Sequence, residues 1–158
     1  MAVKPIPDGY HTATPYLVVH DAARAIEFYQ KAFGATLLMR FDAPGGKVGH
    51  AEIKIGDSPI MLSDECPEFG TKSAKTLGGT PMGLCLYVED ADKVFNQAVA
   101  AGATVLRPVQ DQFYGDRSGT VTDPFGLLWT VATHKEDVSA EEIGRRMEAL
   151  MKQKGSAA

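Results

Sequence analysis

The chain has 158 residues, 44% of them hydrophobic, and a formal net charge of −4. That is enough apolar material for one or two cores, and the scattered basic residues lack the positive footprint of a nucleic-acid binder. No run approaches the roughly 20 apolar residues of a membrane span, and the opening "MAVKPIPDGYHTATP" has no apolar stretch of the signal-peptide type. A cytoplasmic protein is expected, with neither nucleic acid nor membrane as partner.

In chain order, "YLVV" reads as a strand, followed by a helix whose Ala22, Ile26, Tyr29 and Phe33 recur at three- and four-residue spacing. Asp21 suits its N-cap and Gly34 the left-handed position that ends it. "TLLMRF", the turn Pro44-Gly45-Gly46, "KVGHAEIKI", the turn Gly56-Asp57 and "PIMLS" then read as three strands joined by tight turns. Residues 64–81, rich in Gly, Ser, Lys and Pro, form a linker, either a flap or a flexible tether.

The pattern then repeats. "GLCLYVEDADKVFNQAVAAGATVL" matches "YLVVHDAARAIEFYQKAFGATLL", with Asp90 corresponding to Asp21 and Gly102 to Gly34. "ATVLRPV" and "DQFYG" precede "SGTVT", the turn Asp123-Pro124-Phe125-Gly126 and "LLWTVAT". The fold class is therefore α+β: two tandem βαβββ modules over 10–63 and 82–135, with a C-terminal helix over 139–154. That helix starts with a capping box, Ser139 and Glu142, and presents Ile143, Met147, Leu150 and Met151 as a stripe for its own domain or a second subunit to cover. Cys66 and Cys85 stand apart from any CxxC and read as reduced thiols, Cys85 as a small buried hydrophobe.

Paired modules with "FYQKAFGA" in the first and "DPFG.LW" late in the second resemble the vicinal oxygen chelate superfamily of glyoxalases, bleomycin-resistance proteins and dioxygenases. "HAEIKIGDSPIMLSDE" and "GDRSGTVTDPFGLLWTVATH" are similar to its PhnB-like branch. The resemblance implies a cupped sheet per module, helices on the convex side, a ligand cavity on the concave side and a homodimer. It also implies four metal ligands, on positions that here carry Thr14, Met61, Gly83 and Thr130. Neither a thioether nor a glycine suits a divalent cation of that kind, so no cofactor is expected.

Strand alternation extends that placement. With Thr14 and Thr130 facing the cavity, so do Tyr16, Val18, Cys85, Tyr87, Leu128 and Ala132, while Trp129, Val131, Leu17 and Leu62 face the helices. His50, Glu52 and Lys54 fall on the cavity side of their strand, as a binding trio or as solvated charge, and His50 with Glu52 suits acid–base catalysis. In "QFYGDRSG", Asp116 and Arg117 make a local salt bridge, or Arg117 meets a ligand anion with Tyr114 beside it. His11, His20 and His134 read as surface histidines. The expected function is binding of a small hydrophobic or aromatic molecule in a trough between modules, through Tyr16, Met61, Tyr87, Tyr114, Arg117, Leu128 and Thr130. The alternative is a glyoxalase-like lyase or isomerase, with His50 and Glu52 moving a proton or holding a relocated divalent metal.

Overall fold

The computed structural model describes residues 3–155. The first module runs β1 (Tyr16–Val19), α1 (Ala22–Phe33), β2 (Thr36–Ala43), β3 (Lys47–Ile55) and β4 (Ser58–Asp64); the linker holds a short α2 (Ala74–Leu77). The second runs β5 (Gly83–Tyr87), α3 (Ala91–Ala101), β6 (Thr104–Asp111), β7 (Asp116–Thr122) and β8 (Leu128–His134), before α4 (Ala140–Gly155). The strand orders are β1-β4-β3-β2 and β5-β8-β7-β6. In each module the first strand pairs in parallel with the last, and the remaining pairs are antiparallel. The repeat read from sequence is a repeat of topology.

Both long helices form where the caps place them. Asp21 accepts from Arg24 N and Asp90 from Lys93 N, which satisfies an orphan N–H at each start, and Gly34 and Gly102 end the helices in the left-handed conformation. Each helix buries one face on the convex side of its sheet: Ala22, Ile26, Tyr29 and Phe33 from α1, and Ala91, Phe95 and Ala98 from α3. Leu17, Ile53, Leu62, Val121, Trp129 and Val131 answer them from the strands.

The modules join through these helices. Tyr29 and Phe33 of α1 reach Trp129 of β8 at ring-centroid separations of 5.2 and 4.8 Å. Gln97 of α3 donates to the carbonyls of Lys31 and Ala32 at the end of α1. At the centre lies the buried carboxylate of Asp123. Its Oδ1 accepts from Phe125 N and Leu127 N, and its Oδ2 from Trp129 Nε1 and, across the seam, from the Tyr29 hydroxyl at 2.8 Å. Burial pushes this carboxyl above its ordinary range, and the four donors pull the other way. The chain's own two concave faces are therefore not turned on each other, and the trough expected between them is not formed within one chain. Tyr16 and Tyr87, on those faces, are 48% and 65% exposed.

The linker is ordered. Glu65 accepts from Ser73 N and Thr76 Oγ1, Cys66 bridges to Thr71, and Ala74 packs close to Gly126. At the other end, Ser139 caps α4 by accepting from Glu142 N, while the Glu142 carboxylate turns to Arg145 and Arg146 instead of completing the box. Arg146 also binds Glu136 and the Phe113 carbonyl. Met147, Leu150 and Met151 remain exposed.

Candidate functional site

The concave face of the first sheet carries a hydrogen-bonded chain of four side chains. His50 and Glu52 are two apart on β3 and so share a face, with His50 Nε2 3.3 Å from Glu52 Oε1. Tyr16 of β1 places its hydroxyl 3.0 Å from His50 Nδ1. Tyr10, from the segment before β1, donates its hydroxyl to Glu52 Oε2. That bond pushes the Tyr10 phenol up to about 12, because ionising it would set two negative charges side by side. The Glu52 side chain is 16% exposed, within reach of a ligand yet shielded enough for its hydrogen bonds to count.

Strand geometry explains which residues share this face. Ala51, Ile53 and Ile55 point into the core and His50 and Glu52 away from it. At Gly49 the register slips: Phe41 pairs with His50 and Asp42 with Val48. This bulge breaks the alternation and returns Val48 to the core. Two hollows flank the chain. One, of about 440 Å³, lies between Tyr10, Thr14, Glu52 and Met61 under the N-terminal segment. The other, of about 780 Å³, runs from Tyr16 and Ser63 to the linker at Cys66 and Phe69. The linker is thus a fixed wall. Lys54, the third member of the polar trio, stays in solvent.

The second sheet carries a separate cluster. Tyr87 donates to Asp116 Oδ2 at 2.8 Å, and His134 Nδ1 lies 2.8 Å from Asp116 Oδ1. The Tyr87 phenol is pushed up to about 12 by its bond to Asp116, and His134 is raised by its bonds to Asp116 and Asp137. Cys85 sits on the same face, exposed where a buried hydrophobe was expected; partial desolvation and the Asp116 charge push the thiol up. Thr130 shares a hydroxyl contact with Thr120 at 3.0 Å, and Leu128 is half-buried at the start of β8.

Two expectations for "QFYGDRSG" need correction. Asp116 begins β7, so the alternation of a strand applies there and sends Asp116 and Arg117 to opposite faces. Arg117 forms a bidentate pair with Asp92 at the start of α3 and reaches Asp111. It is on the convex side, committed, and not in the cavity. Tyr114 remains in the turn, edge-on to Phe113. Sequence reasoning missed Tyr10, which belongs to no periodic element, and set aside His134, whose meaning depends on a carboxylate 18 positions earlier.

Residues 10–131 match the Glyoxalase/Bleomycin resistance protein/Dioxygenase superfamily. The chain belongs to that superfamily. It is 45% identical over 137 residues to an uncharacterized protein of Mycobacterium bovis, covering 85% of this chain and 90% of the other. Among solved structures it is similar to TioX from Micromonospora sp. ML1, with a TM-score of 0.62, 27% identity and coverage of 82% of this chain and 100% of the other. A Bacillus cereus PhnB protein shares the fold, with a TM-score of 0.59, 22% identity and coverage of 78% and 99%.

Superfamily membership raises the question of a metal. At the positions that the resemblance assigns to its ligands, this chain carries a methionine thioether, a glycine and two threonine hydroxyls, and Thr130 is already engaged with Thr120. Among the described residues no group of three or more His, Cys, Asp and Glu side chains is placed to hold a metal ion. Glu52 pairs across the ladder with Met61 and brings one carboxylate beside that position, with His50 next to it. Two donors do not make the four-ligand set. The residues present do not fit the metal.

Proposed function

We propose that this member of the superfamily binds a small hydrophobic or aromatic molecule in a trough completed by a second copy, the first sheet of one protomer facing the second sheet of its partner. The observation that carries the reading is the open concave face of the first sheet: Met61 flanks a hydrogen-bonded Tyr16–His50–Glu52–Tyr10 chain between two hollows. Apolar walls with a few convergent polar groups are what an orienting site for a small molecule needs. Tyr16, Met61, Tyr87, Leu128 and Thr130 supply the walls, with Tyr114 at the rim, and His50 supplies orientation. Exposed tyrosines on both concave faces give a second copy reason to cover them. The proposed protein is a cytoplasmic homodimer that needs no cofactor.

The test is light scattering for the dimer, with a thermal-shift screen of small aromatic compounds. A ligand at a hundred times its Kd stabilises the folded state by about 2.7 kcal/mol, and Tyr16→Ala or Tyr87→Ala should remove that gain. A monomer, or hits indifferent to both substitutions, refutes the reading.

The same chain of hydrogen bonds favours a second reading, a lyase or isomerase of the glyoxalase type. His50 bridges a phenol and a carboxylate, so a proton taken by Glu52 or His50 has a path along the chain. Under this reading His50→Ala abolishes turnover, whereas under the first it weakens binding by roughly 1 to 3 kcal/mol.

A further inference from the structure

Along the seam between the modules lies a cleft of about 830 Å³, separate from the hollows of the first sheet. Its floor is apolar, with Phe33 at the end of α1 beside Val88 and Val94, and its rim carries His134, Lys93 and Tyr87. Gly34 and Gly56 of the first module close the opposite side, so the cleft exists only because the modules join as they do.

His134 is held there in one orientation. Its Nδ1 faces Asp116, whose side chain is only 7% exposed and also accepts from Tyr87. A buried carboxylate at Nδ1 keeps the proton on that nitrogen and turns Nε2 outward. Nε2 meets Asp137 at 3.0 Å, but the Asp137 side chain is fully exposed. Such a pair is worth little and yields readily to a ligand. Of the other polar groups lining the cleft, Gln97 donates to two carbonyls of α1, Asp90 caps α3 and Thr133 bridges Ala91 N and the Val88 carbonyl, while Glu89 stands exposed at its edge.

We propose that this cleft binds a small molecule bearing a carboxylate or comparable oxyanion on an apolar body. His134 Nε2–H and the Lys93 ammonium meet the oxyanion, Phe33, Val88 and Val94 meet the body, and Asp116 is the positioning residue. The inference does not depend on the trough, with which the cleft shares only Tyr87. The charges around His134 are Asp116 from β7, Asp137 after β8, and Glu89, Asp90 and Lys93 along the cleft. The first two hold the imidazole above its ordinary value, which favours the imidazolium that an anion requires.

The test is titration of the full chain with benzoate, and with benzylamine as the oppositely charged control, followed by the histidine ring resonances in NMR. Benzoate is expected to shift the His134 signal and raise its titration midpoint, with benzylamine inert. Binding should be strongest below the His134 midpoint and fade as pH rises through it. His134→Gln and Lys93→Gln should each weaken benzoate about tenfold, and Asp116→Asn should lower the His134 midpoint and move the pH at which benzoate binding fades down with it, a coupling that a merely structural role would not produce. Lys93 is exposed, so its variant remains informative if His134→Gln fails to fold. Benzoate binding unchanged by either glutamine variant, a preference for benzylamine, no binding of either, or perturbation confined to His50 would each overturn the proposal. The last result would leave the trough reading standing.

Discussion

The Asp123 carboxylate is the joint of the molecule, and its removal gives the sharpest test of how the modules are held. Four donors converge on it, two backbone N–H groups, an indole and the Tyr29 hydroxyl from the other module, all in the buried core. Tyr29→Phe removes one hydrogen bond to a charged acceptor and little else, for about 1.5 to 3 kcal/mol. Asp123→Ala strands all four donors at about 1 to 3 kcal/mol each, so the loss is roughly 4 kcal/mol or more, a large share of the ~5 to 15 kcal/mol that holds a typical domain together. Asp123→Asn keeps one oxygen for the turn but aims an amide at the Tyr29 and Trp129 donors, and should fall between. Urea unfolding measures the series, and a double-mutant cycle isolates the contact: with Asp123 already alanine, Tyr29→Phe should cost almost nothing further. Fully additive losses, or a Tyr29→Phe cost below ~0.5 kcal/mol, would refute the account of the seam.

Absorbance titration of the phenols should show Tyr10 and Tyr87 ionising near pH 12, their signals moving down in Glu52→Gln and Asp116→Asn respectively. Since both folded values lie above the ordinary 10, these bonds stabilise fully below about pH 10 and their contribution is lost as pH rises toward 12. Gly119→Ala should destabilise by about 1 to 3 kcal/mol, because a Cβ there lies 2.7 Å from Phe95 Cε2 and 2.9 Å from Val109 Cγ2; an unchanged melting temperature would contradict the packing of α3 on β7. Arg117→Ala should leave small-molecule binding intact while lowering native-state stability near neutral pH, the difference from the wild type shrinking as pH falls. Asp92, held below its ordinary range by Arg117, contributes above its unfolded value and loses that contribution as pH falls through the folded one. Loss of ligand binding in this variant would return Arg117 to the cavity.

Much of the fold was readable because it rests on local rules. Asp21, Gly34, Asp90 and Gly102 mark helix ends whatever surrounds them, and strand alternation put Trp129 in the core and Tyr16 with His50 and Glu52 on the concave face. The Cys85 expectation failed because the concave face on which alternation placed it is left open within one chain. The Arg117 reading failed for a related reason: treating Asp116 and Arg117 as a loop hid the alternation that separates them.

What the sequence by itself determined is therefore the periodic part: two copies of one βαβββ unit, their caps and turns, and the faces of their strands. Only the tertiary structure decided how the copies meet, helix to helix through Tyr29, Asp123 and Trp129 with both concave faces left open. It alone joined Tyr10 to Glu52 and His134 to Asp116. Periodicity is a property of neighbours along the chain, whereas these contacts join residues up to 94 positions apart, whose approach depends on how whole modules pack.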